Sequence, residues 1–275
     1  MRRPAPSSRP GPRPTSTSTG PNASRVYDAL LGGSHNFAAD RELAAQMIAS
    51  WPESASIARA NRAFLRRVVR YLVDNGIRQF LDVGSGIPTA GNVHEIAQQR
   101  DPDARVVYAD VDPVAVAHSR AILAGNPGTA IIHADLCEPK RILADEAVER
   151  LLDFSQPVAV LVVSVLHFIA DDREPYAAVR TLTAATPPGS YLALSHASPP
   201  RADNEAAEEL AHLYQRRTTT PGVLRSPAEI LAFFDGYGLV DPGLVDLPQW
   251  RPDGPDNDGE SYELAVVYAG LGRKR

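Results

Sequence analysis

The chain has 275 residues, 44% of them hydrophobic and 22% charged, with a formal net charge of −5. That balance supplies one large core and gives no whole-chain electrostatic footprint for nucleic acid or anionic lipid. The single cysteine, Cys137, rules out an internal disulfide and fits a reducing cytoplasm. The longest apolar run, Val158 to Leu166, falls far short of the ~20 residues that span a bilayer.

Residues 1–23 are rich in Pro, Ser, Thr and Arg and lack any acidic residue or aliphatic block. Such a segment cannot bury enough surface to offset its ordering entropy, so a disordered tail is expected. Residues 24–76 read as helical. Ile57, Phe64, Leu65, Val68, Val69 and Leu72 recur at helical spacing. Arg59, Arg62, Arg66 and Arg70 form a second stripe, read as a solvated basic face. Gly32-Gly33 splits the first helical runs, and Gly76 closes the last one.

Strands and helices then alternate. Arg78–Gly84, Arg105–Val111, Thr129–Asp135, the apolar run from Val158 and Gly189–Ala197 read as five strands. Thr89–Arg100, a segment opened by Asp112-Pro113, Glu138–Asp153 and Asp171–Ala185 read as the intervening helices. The pattern predicts a parallel, doubly wound α/β sheet. Ala202–Arg217 continues as a helix, and Ser226-Pro227-Ala228-Glu229 is a capping box that opens another. "GLVDPGLVDL" and "SYELAVVYAGL" are two late strands without a crossover helix between them. They are expected to form an antiparallel edge pair.

The chemistry-bearing residues fall at strand ends. In "FLDVGSGIPT" a strand runs into Gly84-Ser85-Gly86 and a helix follows. Glycines permit the sharp turn and close ligand approach, and the helix N-terminus offers amide donors. The third glycine of GxGxxG is missing, which disfavours NAD. No GK[ST] ending exists, so a P-loop is excluded. Asp110 ends the second strand, beside the crevice of an open α/β sheet, where a carboxylate can accept ribose hydroxyls. Asp112 reads as a helix cap. Asp135 can accept an adenine amine, with Leu136 against the ring. Cys137 lacks surroundings that would make it a nucleophile, and His133 reads as a satisfied strand histidine. His167, in "SVLHFIADD", is either a general base or a residue that shapes the pocket. No GxSxG elbow accompanies Ser164, and no His/Cys/Asp cluster has zinc spacing. His94-Glu95 and Ser195-His196 stand isolated.

These motifs together resemble a class I S-adenosylmethionine-dependent methyltransferase. The likeness narrows to the bacterial S-adenosyl methyltransferase family long catalogued as a domain of unknown function. It is carried in order by "RVYDALLGGSHNFAADRE", "NRAFLRRVVRYL", "GIRQFLDVGSGIPTAGNVHEIAQ", "DARVVYADVDPVAVAHSRAIL", "VLHFIADD", "GSYLALSHAS" and "FFDGYGLVDPGLVDLPQWRPD". The resemblance implies a Rossmann-like methyltransferase sheet, mostly parallel with an antiparallel edge strand, over residues 77–275, preceded by an N-terminal helical extension. It implies S-adenosyl-L-methionine as cofactor. Gly84, Ser85 and Gly86 would lie against its methionine part, with Asp82 facing the ammonium. Asp110 would hold the ribose, and Asp135 with Leu136 would frame adenine. Residues 24–76 would fold over the crevice as a lid, placing Tyr27, His35, Asn36 and Phe37 toward the ligand. "SVLH" stands where amino-group methyltransferases carry a DPPY-type motif, which speaks against nucleic-acid bases and for a small-molecule acceptor. No metal or membrane partner is expected. A cofactor-binding protein without catalysis is the alternative reading.

Overall fold

The computed structural model describes residues 20–87, 91–199, 222–254 and 266–275. Three helices come first: α1 (Ala23–Leu30), α2 (Ala38–Ser50) and α3 (Ser54–Asp74). The alternating part follows as β1 (Gln79–Val83), α4 (Val93–Arg100), β2 (Arg105–Asp110), α5 (Pro113–Ile122), β3 (Thr129–His133), α6 (Pro139–Leu143), α7 (Glu146–Leu151), β4 (Ala159–Val163), α8 (Pro175–Ala184) and β5 (Tyr191–Ser198). The C-terminal part adds α9 (Pro227–Leu231), β6 (Tyr237–Leu239), β7 (Val245–Asp246) and β8 (Val266–Lys274).

The eight strands form one sheet in the order β3-β2-β1-β4-β5-β8-β6, with β7 also paired to β8. β1 to β5 are mutually parallel, and β8 runs antiparallel to β5, β6 and β7. This is the mostly parallel Rossmann-like sheet with an antiparallel strand near one edge. Side chains alternate across it, as the pleat requires. Phe80, Val106, Tyr108 and Leu161 enter the layer under α3 and α4. Leu81, Val107, Val160 and Leu192 enter the opposite layer with Ile142, Val148, Val179 and Leu182. Burial on both faces explains the continuous apolar reading of β4.

Several boundaries differ from the sequence reading. The helix expected over Glu138–Asp153 is two short helices, because Asp145 caps the second by accepting the Ala147 amide at 2.9 Å. The helix expected from Asp171 starts as a 3₁₀ turn. Glu174 then turns left-handed (φ 52) before Pro175, a position where the proline ring disfavours the α conformation. The helix expected from Thr89 begins at Val93, with Asn92 donating to Glu95 at 3.0 Å; Thr89 is outside the described residues. "GLVDPGLVDL" divides into β6 and β7, since Pro242 has no amide for a ladder. The expected tail up to residue 19, the helix over 202–217 and the start of the last strand also fall outside the described residues.

A buried ion triad joins the first helices to the sheet. Arg25 on α1 donates Nε to Asp40 Oδ2 at 2.9 Å and Nη1 to Asp112 Oδ2 at 2.9 Å. None of the three side chains is more than 3% exposed. Asp40 also accepts the Asn22 and Phe37 amides at 3.0 and 2.8 Å. Asp112 caps α5 through the Val114 amide at 3.1 Å. Removing one member of such a cluster strands the others without compensation, which costs about 3–5 kcal/mol. Arg25→Met keeps the stem and deletes the charge. Urea unfolding of that variant is expected to show a loss of this size, and an unchanged midpoint would contradict the triad's role.

Candidate functional site

The carboxyl ends of β1, β2, β3 and β4 open into one cavity of about 350 Å³. It sits where the strand order reverses between β1 and β4, the position at which open α/β sheets hold ligands. Its floor is Asp82, Gly84, Ser85, Gly86, Asp110, Asp135 and Leu136. The first three helices supply the roof, and the segment after β4 supplies the far wall.

The glycine loop is built for close approach. The Gly84 and Ser85 amides both donate to Ala109 O, at 2.8 and 3.3 Å. Gly84 adopts φ +75, and a Cβ there would overlap Val165. Gly86 adopts φ +65, and its amide donates to Asp110 Oδ2 at 2.7 Å. The Asp112 amide holds Asp110 Oδ1 at 2.8 Å. Burial raises the Asp110 carboxyl above its ordinary range, and the Asp112, Gly86 and Val111 amides oppose that rise. A carboxylate has about four lone-pair sites, so these bonds do not fill it.

Asp82 lies under opposing electrostatic influences. Burial pushes its carboxyl up to about 7, the Arg62 guanidinium pulls it down, and neighbouring Asp110 pushes it up again. Arg62 also lies over the Tyr27 ring at 5.5 Å. Its Nε is buried without a hydrogen-bond partner among the described residues. The sequence placed Arg62 in a solvated stripe. Arg59 does stay exposed and Arg70 pairs with surface Asp253 at 3.1 Å, whereas Arg62 turns into the cavity.

Asp135 Oδ2 accepts Arg173 Nη2 at 2.7 Å and Oδ1 accepts the Cys137 amide at 2.9 Å. Burial raises this carboxyl, yet the Arg173 and Cys137 bonds outweigh it and leave the group below its usual value. Burial, with Asp135 beside it, lifts the Cys137 thiol to about 11, so no thiolate forms near neutrality.

His167 lines the far wall and is 3% exposed. Its ring meets His196 edge-on at 5.6 Å between centroids. Burial lowers His167 well below the ordinary imidazole value, helped by His196 and Arg225. His196 was read as isolated, but it belongs to this cluster. Its Nε2 accepts Arg225 Nη1 at 2.9 Å, which leaves Nδ1–H to donate to Ala197 O at 2.6 Å. Burial and Arg225 push His196 down to about 4 despite the Ala197 bond. Arg225 also donates to Leu166 O and Ile169 O, each at 2.9 Å. Ser195 is likewise engaged, donating to Asn61 Oδ1 at 2.6 Å. Asn61 Nδ2 donates to Tyr27 Oη at 3.0 Å, and Tyr27 Oη donates to Ala58 O at 3.0 Å.

Of the four residues expected to face a ligand from the first helices, Tyr27 lines the cavity. For His35, Asn36 and Phe37 the structure corrects the expected placement, since none is among the lining residues. They are occupied in holding the turn. The His35 amide and Asn36 Nδ2 both donate to Asp28 Oδ2, at 2.9 and 2.8 Å. The His35 ring packs edge-on against His118 at 5.2 Å. Phe37 is 46% exposed beneath the Arg25 guanidinium. Gly32 takes φ +76, and a Cβ on Gly33 would overlap the Asp28 carboxylate. The glycine pair therefore ends α1 and makes room for Asp28. Arg25, Asn61, Trp51, Arg173 and Arg225 were not singled out, because their roles depend on contacts distant in sequence.

Residues 12–275 match a family model described as S-adenosyl methyltransferase. A crystal structure of a DUF574 family protein from Streptomyces avermitilis is 38% identical, with TM-score 0.87 over 93% of this chain and 98% of that one. A candidate methyltransferase from Thermobifida fusca is 42% identical, with TM-score 0.86 over 94% and 96%. The N-methyltransferase NodS from Bradyrhizobium japonicum, in complex with S-adenosyl-L-homocysteine, shares the fold at 13% identity and TM-score 0.50, over 91% and 98%. Comparison with curated proteins gave no match.

The raised Asp82 carboxyl makes a pH-dependent prediction. Its unfolded value is about 3.9 and its folded value about 7. Between them the folded state keeps a proton that the unfolded state has lost, so stability falls as pH rises through this window. Asp82→Asn removes the penalty. The variant is expected to exceed the parent in urea resistance at pH 8, by on the order of a few kcal/mol, with no such gain below pH 4. A variant less stable than the parent at pH 8 would overturn this account.

Proposed function

The chain belongs to the S-adenosyl methyltransferase family, and from that premise we propose how its cavity divides the work of methyl transfer. The protein is an S-adenosylmethionine-dependent methyltransferase with a Rossmann-like fold. When bound, S-adenosylmethionine supplies a methyl group already activated by its sulfonium. The residues present fit that molecule. Two glycines at positive φ leave a cradle that side chains would fill, and Arg62 Nε is a buried donor lacking a partner among the described residues.

In this reading Asp82 receives the cofactor's ammonium and Arg62 its carboxylate, a pair of opposite charges matched to the amino-acid end. Gly84, Ser85 and Gly86 give that end room against the backbone. Asp110 takes the ribose hydroxyls with the lone pairs that Gly86 and Asp112 leave open. Asp135, kept ionised by Arg173, accepts the adenine amine, and Leu136 packs on the ring. His167 stays neutral near pH 7, so it is able to accept a proton from the acceptor group as the methyl arrives. Positioning itself lowers the barrier by roughly 7–11 kcal/mol in well-aligned systems. The helices over residues 24–76 serve as a lid on a distinct 77–275 cofactor domain, and Tyr27 is its contact with the site. The net charge of −5 and the absence of a DPPY-type motif support a small-molecule acceptor over nucleic acid. The single cysteine supports a reducing, cytoplasmic setting. Among the described residues no helix is long and apolar enough to cross a membrane.

The observation that carries this reading is the convergence of Asp82, Asp110, Asp135 and the glycine loop on one cavity at the switch point. Calorimetry with S-adenosylhomocysteine tests it. Asp110→Ala is expected to weaken binding about 10- to 100-fold, the worth of charge-assisted hydrogen bonds; unchanged affinity would remove Asp110 from the site. His167→Phe is expected to keep that affinity and lower kcat by about 10²–10⁴. With His167 already neutral, the parent's rate should show no inflection from this group near pH 6.5.

A further inference from the structure

One side of the cavity, an apolar chamber beneath the first helices, differs in chemistry from the cofactor floor. Between α1, α2 and the start of α3 it is lined by Val26, Leu30, Leu43, Met47, Trp51 and Ile57. Among the ionisable side chains that line the cavity, opposite charges face one another. Arg173 pairs with Asp135, and Arg62 sits in the field of Asp82. Tyr27 and Asn61 spend their polar atoms on each other, on Ser195 and on Ala58. Among the polar groups on this side is a hydroxyl that no described neighbour engages. Ser54, the first residue of α3, lines the cavity and is 3% exposed, and its hydroxyl has no hydrogen-bond partner among the described residues.

A buried hydroxyl without a partner is costly, and most native sites satisfy such groups. A serine hydroxyl swings among three staggered positions about a single bond, so a ligand in the chamber can recruit it. An apolar chamber also selects by charge, because burying an ion without a counter-ion is far more costly than burying an apolar ring.

We propose that the methyl acceptor is an uncharged molecule with a flat apolar body and one hydrogen-bonding oxygen, and that Ser54 Oγ recognises that oxygen in the chamber beneath α1 and α2. This rests on the cavity being the methyl-transfer site. Ser54 then sets specificity from the wall formed by the first helices, apart from the residues assigned to the cofactor.

The test is calorimetry on protein first saturated with S-adenosylhomocysteine. The probes are 2-naphthol, naphthalene, the 2-naphthoate anion and the cation of 2-(aminomethyl)naphthalene at pH 7.5. The naphthol is expected to bind at least tenfold more tightly than either charged congener. Ser54→Ala is expected to weaken naphthol binding about fivefold, the worth of one neutral hydrogen bond, and to leave naphthalene and S-adenosylhomocysteine unaffected. Its melting temperature should equal or exceed the parent's, because an unsatisfied hydroxyl is lost. Met47→Glu, which puts a charge into the wall, is expected to weaken naphthol and naphthalene alike by tenfold or more. Charged congeners that bind as well as the naphthol would overturn the proposal. So would a cofactor-loaded protein that binds no naphthol, or a Ser54→Ala effect equal for naphthol and naphthalene. Failure of S-adenosylhomocysteine itself to bind would instead defeat the underlying assignment of the cavity.

Discussion

The triad Asp40–Arg25–Asp112 is the constraint on which the arrangement of the site depends. Arg25 and Asp40 belong to the first two helices, and Asp112 caps the helix that follows β2. One guanidinium therefore spans two parts of the fold that the chain connects through α3, β1, α4 and β2. Arginine suits this position because its planar donors engage two carboxylates at once and it does not lose its charge. Asp112 lies two residues from Asp110, whose carboxylate takes the Asp112 amide. The contact that seats α1 over the sheet is thus joined directly to the carboxylate at the end of β2. It acts together with the Tyr27 bonds to Asn61 and Ala58, which tie α1 to α3.

Beneath that roof the protein maintains an unfavourable charge arrangement. Asp82 and Asp110 are buried near one another, and burial raises both carboxyls. Structures tolerate such tension where a ligand relieves it. Arg62 offsets part of it, and the Gly86 and Asp112 amides orient Asp110. The opposite wall is organised by the hydrogen bonds of one arginine. Arg225 bonds four groups there, Leu166 O, Ile169 O, His196 Nε2 and Asp171 Oδ1. That holds His196 in one tautomer and keeps His167 uncharged. An uncharged His167 thus lines the cavity together with the carboxylates of the floor.

Much of this was legible in the sequence. The alternation of apolar runs with capped helices revealed the doubly wound sheet, because strand and helix periods are local properties. Gly84, Gly86, Asp110 and Asp135 could be placed on the cavity because strand ends are short, marked segments and the crevice lies at their carboxyl edge. Boundaries were misread where one residue changed the outcome, as at Asp145 and at Glu174 before Pro175. His35, Asn36 and Phe37 were misplaced for a related reason. Polar residues after a glycine break look alike whether they face a ligand or, as here, satisfy Asp28. Arg62 was hidden in a stripe of four arginines, since helical spacing assigns a face and not what that face meets.

By itself the sequence determined the fold class, the family and the carboxylates at the strand ends, because each is written in residues close together along the chain. Tertiary structure alone decided that Arg25 bridges Asp40 and Asp112, that Arg62 turns inward, that the His196 ring held by Arg225 packs on His167, and that Ser54 is buried in an apolar chamber. Those outcomes depend on partners dozens of residues away. Their cause is the low dielectric of the interior, where each charge must find its partner and each donor its acceptor or carry a cost.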